Sequence, residues 1–322
     1  MKRKKDLYKD ICNIYNIQKV FNEVCRNTKN KRKVFNLKSY KAIYIARTYN
    51  TLITKSYTVG PYHHFTIDEP KKRNIISQNV QDKIINHLVA RYILQPSILP
   101  CLLDVNVASR TGMGTKRGLE LASEFHTKCK INYSDYYILK CDISKFFASI
   151  NHDILKSKLL RRIKDKDAIK IVFDIIDSNN NNGLYIGSMT SQILAIFYLN
   201  DMDHFIKETL HIKYYVRYQD DFLLFHPSKD YLRYCLNEIK SFLEKEKLML
   251  NNKTRIYKNT NNFIFLGRTC KLKYSRYRNV KRKLKSRYYL YQNNIISLNS
   301  LVSSLSSYKT LCNNNFPIKF KK

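Results

Sequence analysis

Residues 213–227 read KYYVRYQDDFLLFHP, two runs of aromatic, apolar and β-branched residues that close on the acidic pair Asp220 and Asp221. Runs of this composition are buried strands, and the pair between them marks a tight turn. An isolated Asp-Asp is ordinarily a solvated turn. Here a third carboxylate, Asp142, also ends an apolar aromatic run, in YYILKCDISKFF. Gathering like charges at strand ends is costly unless something cationic neutralises them. Three such carboxylates can hold two hard divalent cations, which take oxygen ligands. Two ions about 4 Å apart activate an attacking hydroxyl and stabilise the leaving oxygen of a phosphoryl transfer.

The rest of the chain frames this pair. Residues 1–60 read as mostly helical, with apolar positions at helical spacing in LYKDICNIYNIQKVFNEV, and Gly60 and Pro61 break the pattern. HHFTIDEPKKRNIIS predicts a hairpin turned at Glu69 and Pro70, and QNVQDKIINHLVARYILQP an amphipathic helix ending at Pro96. Residues 136–142 predict a strand that runs into a helix beyond Phe146 and Phe147. SNNNNG is a polar loop, residues 191–210 a long helix, and residues 231–249 another amphipathic helix. A helical pattern in NSLVSSLSSYKTL places Leu301, Leu305 and Leu311 at core-like spacing. Strands and helices alternate without regular βαβ spacing, so the class is α+β.

The 322 residues carry 59 Lys and Arg against 25 Asp and Glu, a net charge of +34. The excess points to a polyanion, nucleic acid before anionic membrane, and away from cationic substrates. It is also uneven: residues 247–322 hold 18 Lys and Arg and no acid. At 44% hydrophobic the chain can still build a core. No apolar run approaches the roughly 18–20 residues of a membrane span. MKRKKDLYKD has no apolar stretch behind it, so no signal peptide is expected. The eight cysteines lack C-x-x-C pairs or nearby His, which favours free thiols in a reducing cytoplasm over zinc.

Seven pieces, in order, resemble the reverse transcriptase family: EPKKRNI, SRTGMGTKRG, KCDISKFFASINHDIL, GLYIGSMTSQILAIFYLNDMDHFIK, VRYQDDFLLF, LMLNNKTRI and FIFLG. More narrowly, Ile186, Gly187, Ser191 and Gln192 fit the I-G-x-x-x-S-Q form seen in bacterial stand-alone enzymes, above all those of diversity-generating retroelements. The resemblance implies a right-hand polymerase with fingers, a palm built on an antiparallel sheet, and a small helical thumb. It divides the chain into a helical extension (1–60), fingers and palm (61–267) and a basic thumb (268–322).

The same resemblance implies roles for individual residues. Asp142, Asp220 and Asp221, with the main-chain oxygen of Ile143, match the metal-binding positions for two Mg²⁺ ions, with Mn²⁺ as a substitute. Phe147 matches the aromatic gate that clashes with a ribose 2′-OH. Lys71, Lys72 and Arg73 match the fingertip that grips the triphosphate, where a guanidinium suits bidentate contact. Ile186, Gly187 and Gln192 fall beside the incoming nucleotide, and Lys253 beside the pyrophosphate it would protonate. Tyr218, Gln219, Phe265, Leu266 and Gly267 match positions around the primer end. Arg110, Lys281 and Arg282 would meet the template or duplex.

Some positions depart from the pattern. Many relatives have Gln where this chain has Ile186 and Pro where it has Tyr185, and Gln219 replaces a small or apolar residue. No retron signature or zinc-ligand nuclease motif is present. The implied partners are a structured non-coding RNA template, a DNA or RNA primer and dNTPs, with a small accessory protein or self-association and no membrane. Mutagenic copying in a diversity-generating element and anti-phage defence are the two roles in view. Template-independent or protein-primed synthesis of the abortive-infection type, and a catalytically silent RNA-binding protein, stay open beside them.

Overall fold

The computed structural model describes residues 3–67, 73–179, 182–260, 264–269 and 277–312. Four helices open it: α1 (Tyr8–Ile11), α2 (Ile14–Asn27), α3 (Lys31–Ser39) and α4 (Lys41–Ile53). In α2, Ile17, Val20, Phe21, Val24 and Cys25 form one buried stripe. The Asn13 side chain caps this helix by accepting from the Tyr15 and Asn16 amides. After Gly60 and Pro61 come β1 (His63–Ile67) and β2 (Arg73–Ser77), antiparallel with Phe65 opposite Ile75. The hairpin is the one expected; its turn at Glu69 and Pro70 lies outside the described residues.

Helix α5 (Val80–Leu88) continues through a π-helical stretch, Val89–Leu94, into α6 (Gln95–Ile98). The helix therefore passes the proline at which the sequence predicts its end. The widened turn, in which the Gln95 amide donates to Ala90 O, delivers Pro96 to the first turn of α6. There the missing N–H leaves no gap. Then follow α7 (Thr115–Asn132), β3 (Tyr137–Asp142), α8 (Phe146–Ser149), α9 (His152–Leu160), α10 (Lys166–Asp177), α11 (Met189–Tyr198) and α12 (Asn200–His204). The single helix expected over 191–210 is broken: Leu199 leaves helical dihedrals at ψ 6°. Beyond the break, buried Asp203 in α12 accepts hydrogen bonds from the sheet, the contact a lone periodicity argument cannot see.

The remaining elements are β4 (Tyr214–Tyr218), β5 (Asp221–His226), α13 (Lys229–Lys245), β6 (Arg255–Lys258), β7 (Ile264–Phe265), β8 (Arg268–Thr269), α14 (Tyr277–Gln292) and α15 (Leu298–Cys312). The main sheet runs β4-β5-β3-β6, with every neighbour antiparallel. Side chains alternate between its faces. Leu139, Cys141, Tyr215, Phe222 and Leu224 join Leu232, Ile239 and Leu243 of α13 in a core that extends to Ile11, Ile17 and Leu52 of the N-terminal helices. Ile138, Tyr214, Val216, Leu223 and Phe225 meet Leu121 and Ala122 of α7 and Phe265 of β7. Covering on both faces explains why β5 reads as an unbroken apolar run.

Six cysteines are free, four of them buried, while Cys270 and the Cys312 side chain lie outside what is described. Among the described residues no helix is long and apolar enough to cross a membrane. In α15 Leu301 is buried as its spacing predicts; the Leu311 side chain is not among those described.

Candidate active site

Strand pairing sets Asp142 opposite Asp221 between β3 and β5, and Tyr218 opposite Asp221 between β4 and β5. The hairpin loop is therefore Gln219 and Asp220 alone. Gln219 holds φ at 55°, the positive value that a two-residue hairpin loop demands at its first position. Directly paired residues carry their Cβ atoms about 5 Å apart on one face, so Asp142 and Asp221 are neighbours and Asp220 follows one residue away. Ile143 continues past the strand, and its N–H donates to Asp220 O at 3.3 Å. By alternation Asp142, Lys140 and Ile138 share a face with Asp221, Leu223 and Phe225. Helix α7 and Phe265 cover the far end of that face, and the carboxylates occupy the half-exposed end.

Burial pushes the Asp221 carboxyl up to about 6; Lys140 opposes the rise, and Asp142 and Asp220 add to it. Lys140 Nζ stands 3.5 Å from Asp221 Oδ1. That oxygen is buried and accepts no hydrogen bond among the described residues. Asn251 steadies Asp142 from the segment after α13: its amide donates to Asp142 O at 2.7 Å and its Nδ2 to Asp142 Oδ2 at 3.1 Å. Among the described residues no three His, Cys, Asp or Glu side chains already form a cluster that could hold an ion. Lys140 and Asn251 take up part of the capacity of Asp221 and Asp142. A buried carboxylate oxygen that accepts no hydrogen bond among the described residues, beside two further carboxylates, is nonetheless a donor set that fits a hard divalent cation.

Beneath the turn lies a buried ion pair that sequence reading missed. Arg217 donates from Nε to Asp203 Oδ1 at 2.7 Å and from Nη2 to Asp203 Oδ2, with Tyr215 Oη also on Asp203 Oδ1 at 2.7 Å. Its Nη1 reaches Gln219 O at 3.0 Å and its Nη2 Ile196 O at 3.1 Å. Burial works against the guanidinium charge and Asp203 more than offsets it, so the group titrates above its ordinary range. The Arg217 backbone is held as well, donating to Val105 O at 2.8 Å and accepting from Val107 N at 3.0 Å. The signal was an arginine inside the apolar run YYVRY. Lys140 and Asn251 were missed too; only their places in KCD and LNNKT could have flagged them.

The other predicted residues fall as follows. Phe146 is core and Phe147 half-buried beside it, ring centroids 5.7 Å apart, and Phe147 O accepts from Leu184 N at 2.7 Å. Ile186 O accepts from Ile76 N at 3.2 Å, which seats the 185–188 turn against β2. Gly187 holds φ 118° there, and a Cβ would stand 2.9 Å from Ile76 O. Gln192 is exposed on α11. Gln219 Nε2 donates to Ser109 Oγ at 3.0 Å, tying the acidic turn to the segment that carries SRTGMGTKRG. Lys253 is exposed, two residues beyond Asn251, whose side chain accepts from its amide. Phe265 is fully buried, and Leu266 and Gly267, with φ 46° and 82°, form the tight turn between β7 and β8.

Arg110 turns its guanidinium into its own loop, onto Leu103 O, Asn106 O and Asp104. Arg282 is exposed on α14. Arg73 opens β2 opposite Ile67. Lys71 and Lys72 lie outside the described residues, as do the Arg73 and Lys281 side chains.

Residues 66–270 match the model of the family described as Reverse transcriptase (RNA-dependent DNA polymerase). A Saccharomyces cerevisiae protein named for intron 2 of COX1/OXI3 is 33% identical over 92 residues, which cover 25% of this chain and 11% of that protein. Among solved structures, the apo telomerase of Candida tropicalis, truncated from its C-terminal domain, superposes with TM-score 0.51 at 15% identity over 68% of this chain and 56% of that one. The Candida albicans telomerase, solved with a fragment of telomeric RNA, gives TM-score 0.47 at 14% identity over 77% and 52%. The chain thus spans little more than half of each telomerase chain and about a tenth of the yeast protein. The Candida tropicalis likeness speaks to fold, a right-hand polymerase. With well over half of its length inside the family model and its paired carboxylates at the strand ends, the chain belongs to the reverse transcriptases.

Proposed function

We propose that this chain is an RNA-directed DNA polymerase, adding deoxynucleotides to a primer 3′-OH with release of pyrophosphate. The observation that carries the reading is the pairing of Asp142 with Asp221, with Asp220 in the adjoining turn. Asp142, Asp220, Asp221 and the Ile143 carbonyl would hold divalent ions, Mg²⁺ by preference and Mn²⁺ as a substitute. When bound, such ions supply Lewis acidity toward the attacking and leaving oxygens. The chain's own residues do the rest. Phe147 presents its half-buried ring to the sugar, and the Ile186–Gly187 turn with Gln192 borders the base. Lys71 and Arg73 neutralise the triphosphate, and Lys253 delivers a proton to the leaving group. Tyr218, Gln219 and the turn at Phe265, Leu266 and Gly267 support the primer end.

Fingers and palm occupy 61–267 and a thumb 268–322, where Lys281 and Arg282 track the duplex; residues 1–60 are a helical extension. The template is a structured non-coding RNA, in a bacterial diversity-generating or phage-defence setting, with a small accessory protein or a second copy as partner. Resemblance to an intron-named yeast protein favours a retroelement origin. The test is primer extension by the purified protein on a heteropolymeric RNA with Mg²⁺ and dNTPs. DNA complementary to the RNA, lost in Asp220→Ala/Asp221→Ala, is the expected result; product whose sequence ignores the template would overturn it.

A further inference from the structure

Residues 24–67 carry nine Lys and Arg and no Asp or Glu, a second acid-free stretch far in sequence from the C-terminal one. Lys55 pairs with Asp167. Arg26, Lys29, Lys31, Arg32, Lys33, Lys38 and Arg47 are exposed, and none has an ion-pair partner among the described residues. They centre on α3, which packs on α2 and α4. Helical spacing puts cations on both flanks of α3. A groove of about 400 Å³ on one side is lined by Arg26, Lys31, Phe35 and Lys38. A second, of about 350 Å³, is lined by Arg32, Lys33, Asn36 and Tyr44. Lys31, Arg32 and Lys33 also crowd the first turn of α3, where the helix dipole is already positive. Each such placement is unfavourable. Phe35 and Tyr40 stand 71% and 59% exposed among these charges.

Uncompensated cations at helical spacing, with aromatic rings between them, suit a polyanion whose unpaired bases can stack. We infer that α3 and the start of α4 form a docking surface for structured RNA, separate from the carboxylate site. Phosphates of a stem meet the two basic flanks, and loop bases lie on Phe35 and Tyr40. The choice of RNA as ligand rests on the RNA-directed reading above; the surface itself does not.

The test uses the full chain with six exposed side chains neutralised, Arg26→Gln, Lys29→Gln, Lys31→Gln, Arg32→Gln, Lys33→Gln and Lys38→Gln. Thermal unfolding checks that it folds as wild type does. Binding of a labelled RNA hairpin is titrated against KCl, beside extension of a saturating, pre-annealed short primer–template. The expected result is hairpin binding at least about tenfold weaker, a salt slope reduced by roughly 2 or more, and unchanged extension. In Phe35→Ala/Tyr40→Ala the preference for a looped hairpin over a blunt duplex disappears. Wild-type hairpin affinity and slope in the six-site variant would overturn the inference. So would unchanged RNA binding with loss of binding to phosphatidylserine vesicles, which would make the face a membrane contact. If wild type binds the hairpin through this face yet makes no DNA, the polymerase reading fails and this one stands.

Discussion

Arg217 and Asp203 form a fork-to-fork ion pair with both side chains fully buried, and the same guanidinium holds the carbonyl of Gln219 in the acidic turn. The pair links α12 to the loop that presents Asp220. Removing one partner of such a pair strands the other charge, so Arg217→Ala is expected to destabilise the fold by about 3–5 kcal/mol. Arg217→Met/Asp203→Leu removes both charges and recovers much of that stability. If the guanidinium positions the turn, activity stays low in the double variant although urea denaturation shows a stable fold. Equal recovery of stability and activity would reduce the pair to a packing element.

Asp221 gives a pH signature. Its carboxyl ionises near 6 in the folded chain, above its ordinary 3.8. The native state therefore holds a proton that the unfolded chain has released between those values. Through this group, metal-free stability falls as pH rises from about 4 to 6 and is recovered on acidification. Asp221→Asn flattens that slope in urea unfolding measured across the range. Divalent-ion binding needs the ionised form, so the apparent Mg²⁺ affinity in primer extension weakens as pH falls below about 6, and the pH at which it weakens moves upward in Lys140→Met, which removes the opposing cation.

Phe147 differs from Phe146 in being only half-buried. Phe147→Ala is expected to raise incorporation of ribonucleotides relative to deoxynucleotides while costing little stability. Phe146→Ala should do the reverse, losing about 3–5 kcal/mol as a core truncation. Single-nucleotide extension with each sugar, alongside thermal melts, separates the two.

At the turn against β2, Gly187→Ala places a methyl 2.9 Å from Ile76 O on a backbone that disfavours a side chain. A cost of about 1–3 kcal/mol and a raised KM for dNTPs are expected, since the β1–β2 hairpin must shift. An unchanged KM would detach that turn from nucleotide binding.

Gln219 holds a left-handed backbone, and among the described residues nothing donates to its buried Oε1. Gln219→Gly relieves both, and a gain of up to about 1 kcal/mol is expected against the lost bond to Ser109. Melting curves decide the sign.

Much of this was legible in the sequence because alternation and spacing are local. The strands around Asp142, Asp220 and Asp221, the β1–β2 hairpin and the buried Leu301 all follow from residues near them in the chain. What escaped depends on partners remote in sequence. Asp203, beyond the break at Leu199, is held by Arg217, 14 residues on in the sheet. Pro96 does not stop its helix because a π-helical stretch upstream absorbs it. Lys140 and Asn251 matter only once the β3–β5 register and the segment after α13 bring them to the carboxylates.

That register has a consequence for how the gene can vary. Side chains in β3 can be exchanged for others of similar bulk at modest cost, yet deleting one residue between Tyr137 and Asp142 would turn the strand over. The acid would then lie opposite Phe222, facing α13 in the apolar interior, and Ile143 would stand opposite Asp221. Such a strand tolerates substitutions far better than insertions or deletions; its length is the constrained quantity.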